Sequence, residues 1–531
     1  MIPYAPRNGN QAAGRLRRPA PGRMTAAMVP SAMVPSENTA ADSLLARTAR
    51  GAGWVIGWRL FTRAAGLLST LVLVRLLVAE NFGLMTLATG LAQAIDALSS
   101  LGVEEAVIRE RQPDRDLYDS AFTINLIRGA ATAALIAAAA WPVARFFADR
   151  RLLPVLLALA CGALVAGGEN IGIVDFRRDI RFHKEFVLLA IPRLAGIAVA
   201  ISLAFLLHSY VALLAATLVA IVARVGLGYA MHPFRPRLRL PAWRRIAGFS
   251  VWSWLLSLGT LLNERADSFV IGRVFGLADV GIFALGAEIA ALPTTELISP
   301  LSRVCFSGFA AARGGSAGPD ETAATFLRVI AATTLLTLPA GIGLSMVAAP
   351  IVRLAFGPGW DAAIPVVQLL GAALVVTVLG YVSYALMNAH GRLSGLAAIQ
   401  ALTLAARLAL LLALVPRAGL TGAAAAVGVS AILENLLYFA LAQRFLGLRG
   451  AALLAATWRS LAGVAVMAAA LAALGPGWRE AAGSPAAGLV QATLLGAVLY
   501  AATVALCWRA AGRPPGAERD LLGLVARAAR R

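Results

Sequence analysis

The feature that most constrains this chain is a recurring apolar stretch, close to the length needed to cross ~30 Å of hydrocarbon as a helix. Such stretches recur from Trp54 to Trp508. Fourteen are legible, near 53–78, 82–101, 119–143, 152–171, 186–207, 210–230, 248–271, 281–301, 326–348, 363–387, 394–414, 422–443, 456–474 and 486–508. Only 14% of the 531 residues are charged, against about a quarter in an average soluble domain. A soluble fold of this size would lack the polar residues to cover its surface. The chain therefore reads as an all-α polytopic membrane protein of about fourteen transmembrane helices. Abundant Gly and Ala permit close helix–helix approach.

Charge gives the orientation. Lys and Arg number 47 against 27 acids, a balance that in a soluble protein points to nucleic acid. Here the excess sits in short loops and tails. Alternate loops and tails hold 32 basic residues on one side and eight on the other, so the positive-inside rule places both termini in the cytoplasm. No soluble basic domain is left to bind nucleic acid.

Several chemistries are excluded. The single lysine, Lys184, follows His183 and precedes Glu185, so it belongs to no phosphate-binding loop. Cys161, Cys305 and Cys507 lie far apart in apolar stretches, and the four histidines are equally scattered. That spacing suits neither a disulfide framework nor a metal centre, and no cofactor is expected.

Residues 1–50, rich in Pro, Arg, Ala and Ser, read as a disordered basic tail without the h-region of a signal peptide. Met24, Met28 and Met33 are alternative starts. Residues 509–531 form a second basic tail. Between them an internal repeat appears. Arg75-Leu-Leu-Val-Ala-Glu-Asn-Phe-Gly83 matches Arg273-Val-Phe-Gly-Leu-Ala-Asp-Val-Gly281 at an offset of 198, and Pro142-Val-Ala-Arg145 matches Pro350-Ile-Val-Arg353 at 208. Six segments separate the copies, an even number, so both have the same orientation. Two six-helix bundles follow, 51–245 and 246–446, related by a pseudo-twofold along the membrane normal, with a cavity between them and two extra helices over 447–508. Alternating-access transporters are built this way.

Ionisable groups inside the spans are costly and mark candidate sites. Arg59 and Arg63 are four apart and share a helix face; Arg128, Arg193 and Arg224 complete an N-half set, with Asp96 as counter-ion. The C-half holds Asn263, Glu264, Arg265 and Asp267 together, then Glu288, Arg407 and Glu434. Guanidinium forks bind phosphate oxygens bidentately and never lose their charge. Asp96, Glu264, Asp267 and Glu288 are candidates for a coupling H⁺ or Na⁺.

Gly102-Val-Glu-Glu-Ala-Val-Ile, Arg178-Asp-Ile-Arg-Phe182-His-Lys184 and Asp267-Ser-Phe-Val-Ile-Gly272, with the Arg75 and Gly281 segments, closely resemble the polysaccharide transporter family, the Wzx-type flippases. The resemblance runs from about residue 52 to 445. It implies a V-shaped pair of bundles that moves undecaprenyl-diphosphate-linked repeat units between leaflets for O-antigen, capsule or exopolysaccharide assembly. Polymerase and export machinery are its further partners. It also implies that Arg59, Arg63, Arg128, Arg193 and Arg265 meet the diphosphate and that an ion gradient drives the return, with Asp267 the best-matched acid. A drug/cation antiporter of the same superfamily would favour an acidic N-half cavity. An O-antigen polymerase or ligase would need a large external loop; none here exceeds about fifteen residues.

Overall fold

A computed structural model describes residues 61–98, 103–110, 113–179, 181–246, 251–314, 319–474, 484–514 and 516–519. Both basic tails, apart from 509–514 and 516–519, and Arg59 lie outside the described residues. Helices follow the apolar segments one for one: α1 over 61–76, α2 Ala79–Leu98, α3 Arg115–Phe146, α4 Leu152–Gly167, α5 Phe182–Leu207 and α6 Val211–Met231. The second half holds α7 Val251–Val274, α8 Leu277–Gly314, α9 Pro319–Met346 and a broken α10, Ile364–Ala373 then Thr377–Ala389. Residues 393–418 and 420–446 form α11 and α12, which run into one another across Gly419. Last come α13 Gly450–Ala473 and α14 Pro485–Ala510. No strand occurs among the described residues.

Nine helices among the described residues are long and apolar enough to cross a bilayer, or ten with the bent pair Leu152–Gly167 and Ile171–Arg178 taken as one span. Local chemistry sets the ends. Asp114 caps α3 by accepting from the Leu117 amide at 3.1 Å, and Ser484 caps α14 by accepting from Ala487 at 3.2 Å, ahead of Pro485 at the first helical position. Both satisfy amides that a helix start leaves without partners. Pro416 removes a helical donor, and Gly419, at φ 59° and ψ −141°, turns the chain between α11 and α12, a conformation glycine adopts without a Cβ penalty.

The halves meet through α2 and α8. A Cβ on Gly83 would lie 1.7 Å from the Leu277 carbonyl oxygen, and one on Gly281 would lie 2.0 Å from that of Ala79. Gly83 and Gly281 are matched positions of the repeat, and so are Ala79 and Leu277. Each copy thus makes on the other the contact it receives, as a local twofold requires. Around this crossing, Arg75 donates to the Leu354 carbonyl at 2.6 Å, Phe82 packs edge-on against Trp360, and Arg273 lies over Phe146. These contacts all sit at the arginine-poor end. The second repeat match is less symmetric: Pro142 lies inside α3, whereas Pro350 falls in a separate short helix, Ala348–Ala355, beyond a break at Val347.

Two ion-pair clusters brace the periphery. At the arginine-poor end Arg151 joins Glu80, in the first turn of α2, at 2.5 Å and Asp149 at 2.6 Å. At the other end Arg459 of α13 holds Glu518 at 2.5 and 3.2 Å, both nearly buried, which folds the segment after α14 back on the bundle. Partial burial works against the charged form of Asp149, but side-chain and backbone hydrogen bonds from Arg151 outweigh it and hold the carboxyl below its ordinary 3.8. A depressed carboxyl contributes stability above its unfolded pKa, and that stability is lost as pH falls through the folded value. Asp149→Asn should therefore lower the thermal midpoint at pH 7, and the gap to wild type should close below pH 3.8; melting the two proteins across that range checks it.

Candidate functional site

A cavity of about 1060 Å³ lies between α1, α2, α5, α6 and α8. Leu73, Phe82 and Leu213 close it toward the arginine-poor end, and Arg63, Arg193, Arg224 and Glu288 supply its charge. The three arginines stand thirteen or fourteen residues from the arginine-poor ends of their helices. At 1.5 Å per residue that is ~20 Å for each, so helices of separate sequence origin bring three guanidiniums to one level. Small residues make room for them. A Cβ built on Gly196 of α5 would lie 3.0 Å from the Ala216 oxygen of α6, and the Arg193 guanidinium reaches within 3.0 Å of a Cβ built on Gly66. Gly66 lies three residues from Arg63, on the same helix face. Arg63 and Arg193 thus converge on one patch of α1.

Their partners differ. Arg224 is held by Glu169 at 2.7 Å. Arg63 faces Glu288 at 3.9 Å, with 30% and 45% of the side chains exposed. Arg193 is exposed and has no hydrogen-bond or ion-pair partner among the described residues. The remaining polar lining is hydroxyl: Thr62, Ser69, Thr70, Thr86, Thr89, Thr217 and Thr295. Thr89 donates to the Met85 carbonyl at 2.6 Å and Thr217 to Leu213 at 2.9 Å. Their oxygen lone pairs remain as acceptors.

The family model for "polysaccharide biosynthesis protein" matches residues 72–365, more than half of the sequence. The chain belongs to that family. Among its relatives, the lipopolysaccharide biosynthesis protein WzxC of Escherichia coli K12 is 23% identical over 341 residues, 62% of this chain and 67% of the relative. The succinoglycan biosynthesis transport protein ExoT of Rhizobium meliloti is 25% identical over 329 residues, 60% and 65%. The matched part thus spans about two thirds of each relative. Among solved structures, the lipid II flippase MurJ in an inward closed conformation shares the fold with a TM-score of 0.63 at 13% identity, over 87% of this chain and 99% of that one. An inward-facing multidrug MATE transporter shares it at 0.58 and 17%, over 73% and 94%.

In this polysaccharide biosynthesis protein the cavity joins Arg63, outside the matched span, to Arg193, Arg224 and Glu288 within it. Arg128 and Asp96 pair with each other at 2.5 Å, outside the cavity. Arg265 lies over Gly90 and donates to Gln93 at 2.6 Å, and Glu264 is exposed on α7. Asp267 belongs to a second polar centre, buried in the C-half. There Arg407 of α11 meets Asp267 at 3.6 Å and donates to Asn263 at 3.2 Å. Asn263 donates to Glu434 at 3.1 Å, and Tyr438 donates to Glu434 at 3.2 Å. The hydroxyl lining is the feature that sequence reading passed over. Its signal was present, since Arg63, Gly66, Ser69, Thr70 and Leu73 recur at helical spacing. Breaking a buried pair leaves an uncompensated charge, costing about 3 kcal/mol. Arg407→Gln should therefore lower stability by roughly that amount, and adding Asp267→Asn should restore most of it; chemical or thermal unfolding of the three variants checks this.

Proposed function

We propose that the protein flips undecaprenyl-diphosphate-linked oligosaccharide units across the bacterial inner membrane by alternating access, its arginine-rich end in the cytoplasm. The observation that carries this reading is the unpaired Arg193 beside Arg63 in a hydroxyl-lined cavity. Two like charges brought together in a membrane cavity repel, so the arrangement suits a ligand that brings the missing negative charge. A diphosphate does, and it fits the guanidinium fork. The sugars attached to it find hydroxyl oxygens on the α2 and α6 walls, and the polyprenyl chain stays in lipid. The names of the relatives, a lipopolysaccharide biosynthesis protein and a succinoglycan transport protein, support the substrate class.

In this reading the α2–α8 crossing is the closed gate on the periplasmic side, and the cavity loads from the cytoplasm. Arg63 and Arg193 bind the diphosphate. Glu288 holds Arg63 while the cavity is empty and yields it to the ligand. The Arg128–Asp96 pair stiffens the packing of α2 against α3. The buried C-half centre offers two carboxylates, Asp267 and Glu434, to one guanidinium, which leaves one negative charge for a coupling cation. A drug antiporter is disfavoured because the cavity carries three arginines and a single acid.

Leaflet translocation of a labelled undecaprenyl-diphosphate oligosaccharide in proteoliposomes tests the reading. A charge-assisted contact contributes about 1.5–3 kcal/mol, so Arg63→Ala and Arg193→Ala should each slow flipping at least ~10-fold, with Arg128→Ala much milder. Wild-type rates in both cavity variants would sink the assignment. Gly83→Ala should prevent closure at the crossing. A cysteine introduced nearby should then become reachable from the periplasmic side, and an unchanged labelling rate would contradict the gate.

A further inference from the structure

The segment that joins α6 to α7 has a shape and a chemistry that flipping does not explain. From His232 to Ile246 it carries five arginines and no acid. Side chains of the N-half fix its backbone. Asn170 donates to the Phe234 carbonyl at 3.0 Å. Asp119 accepts from the Arg237 amide at 2.9 Å, Thr123 from the Arg239 amide at 3.0 Å, and Ser120 from the Ala242 amide at 3.0 Å. Arg245 then reaches Asp114 at 3.0 Å and Glu110 at 3.2 Å.

These anchor points give the path. Between Arg237 and Arg239 the strap advances from Asp119 to Thr123, four helical residues or ~6 Å along α3. By Ala242 it has turned back to Ser120, and by Arg245 to Asp114. The strap is a dip, with Leu238, Arg239 and Leu240 at its deepest point. Leu238 is 69% exposed and Leu240 41%. Trp243 is 49% exposed, with Arg244 over its ring. Arg237 and Arg239 are exposed, and their side chains meet no acid among the described residues.

The level of the dip coincides with a membrane boundary. Trp141, exposed near the other end of α3 with Arg145 over its ring, has the character of an interfacial anchor. Thr123 lies ~27 Å from it along the helix, close to the thickness of the hydrocarbon core. Exposed leucines at that depth would reach acyl chains, and arginines beside them would sit among headgroups. A water-facing loop of this rigidity would gain nothing from an apolar tip.

We propose that the 232–246 strap is a docking surface for anionic lipid: Leu238 and Leu240 enter the acyl boundary, and Arg237, Arg239 and Arg244 hold headgroup phosphates. The partner is a phospholipid with net negative charge, such as phosphatidylglycerol. This assignment rests on the membrane-spanning fold and is independent of which substrate is carried.

The test uses the full chain in nanodiscs, with Cys161, Cys305 and Cys507 replaced by Ala and an environment-sensitive fluorophore at Leu240→Cys. Quenching by headgroup-proximal nitroxide lipid is compared for phosphatidylglycerol and phosphatidylcholine at equal mole fraction. The expected result is at least threefold stronger quenching by phosphatidylglycerol. The triple variant Arg237→Gln/Arg239→Gln/Arg244→Gln should bring the ratio close to one. If that variant fails to incorporate, the otherwise unsubstituted labelled chain should show the same loss of preference between low and 1 M salt, since exposed charges are screened. No quenching by either lipid, equal quenching by both, or a preference unchanged in the triple variant or at high salt would overturn the proposal. So would loss of the preference to micromolar pyrophosphate, which would identify a soluble anion as the partner.

Discussion

The backbone contact between Gly83 and Gly281 fixes the rest of the arrangement. Two helices that meet with carbonyl oxygens where Cβ atoms would lie approach as closely as helices can, and they do so near one end. That crossing brings Arg75 to Leu354 and Phe82 to Trp360. Farther along α2 and α8 the helices turn toward different neighbours. The space opened between α1, α5 and α6 on one side and α8 on the other is the cavity. Substituting either glycine with any side chain would separate the two helices at the crossing first, and would alter the cavity only as a consequence.

The two halves solve the problem of charge in a membrane in opposite ways. In the C-half the arginine is satisfied internally: Arg407 is buried, has Asp267 and Asn263 as partners, and is linked through Asn263 to Glu434 and Tyr438. In the N-half, the guanidiniums of Arg63, Arg193 and Arg224 face a cavity, with Arg224 held by Glu169 at 2.7 Å and Arg63 3.9 Å from Glu288. Desolvating an ion costs several kcal/mol unless partners replace the water. The N-half avoids that cost by keeping its arginines wet. A wet guanidinium without a close partner can bind a ligand, while a buried, paired one is committed to structure. Helix sequence alone treats Arg193 and Arg407 as equivalents; only packing separates them.

That distinction marks how far the sequence could be read. Fourteen apolar stretches became the helices, because span length is a one-dimensional property that hydropathy measures directly. The repeat was legible too, and its glycines proved to be each other's partners, since a close approach tolerates no other residue. The cavity was only half legible. Arg63 and Arg193 come together because Gly66 lies between them, but Arg128 and Arg265, also inside apolar helices, turn to Asp96 and Gln93. Whether an arginine faces a cavity depends on rotation about its helix axis. Among helices rich in Ala and Leu on every side, no amphipathic stripe records that rotation. The hydroxyls were missed for the same reason: threonine donates to its own helix and adds little to a polarity pattern.

The same reasoning bears on how such a fold could alternate. Contacts between the halves at the arginine-poor end are a glycine crossing, a charge-assisted hydrogen bond from Arg75 to the Leu354 carbonyl, aromatic packing and the Arg273–Phe146 contact, each contributing about 0.5–3 kcal/mol. A ligand whose affinity differs modestly between two states can outweigh a few such contacts. The strong attachments lie elsewhere. Arg459 and Glu518 are locked together at the edge of the C-half, and Tyr500 donates to Leu335 at 2.8 Å to bind α14 to α9. Both join elements C-terminal to the α2–α8 crossing and neither spans it. The 232–246 strap follows the same division: its hydrogen bonds go to α3 and Asn170, all in the N-half. Contacts between the halves, among them the α2–α8 crossing, Arg265 to Gln93 and Arg63 to Glu288, are the ones that a rocking motion would have to break or carry.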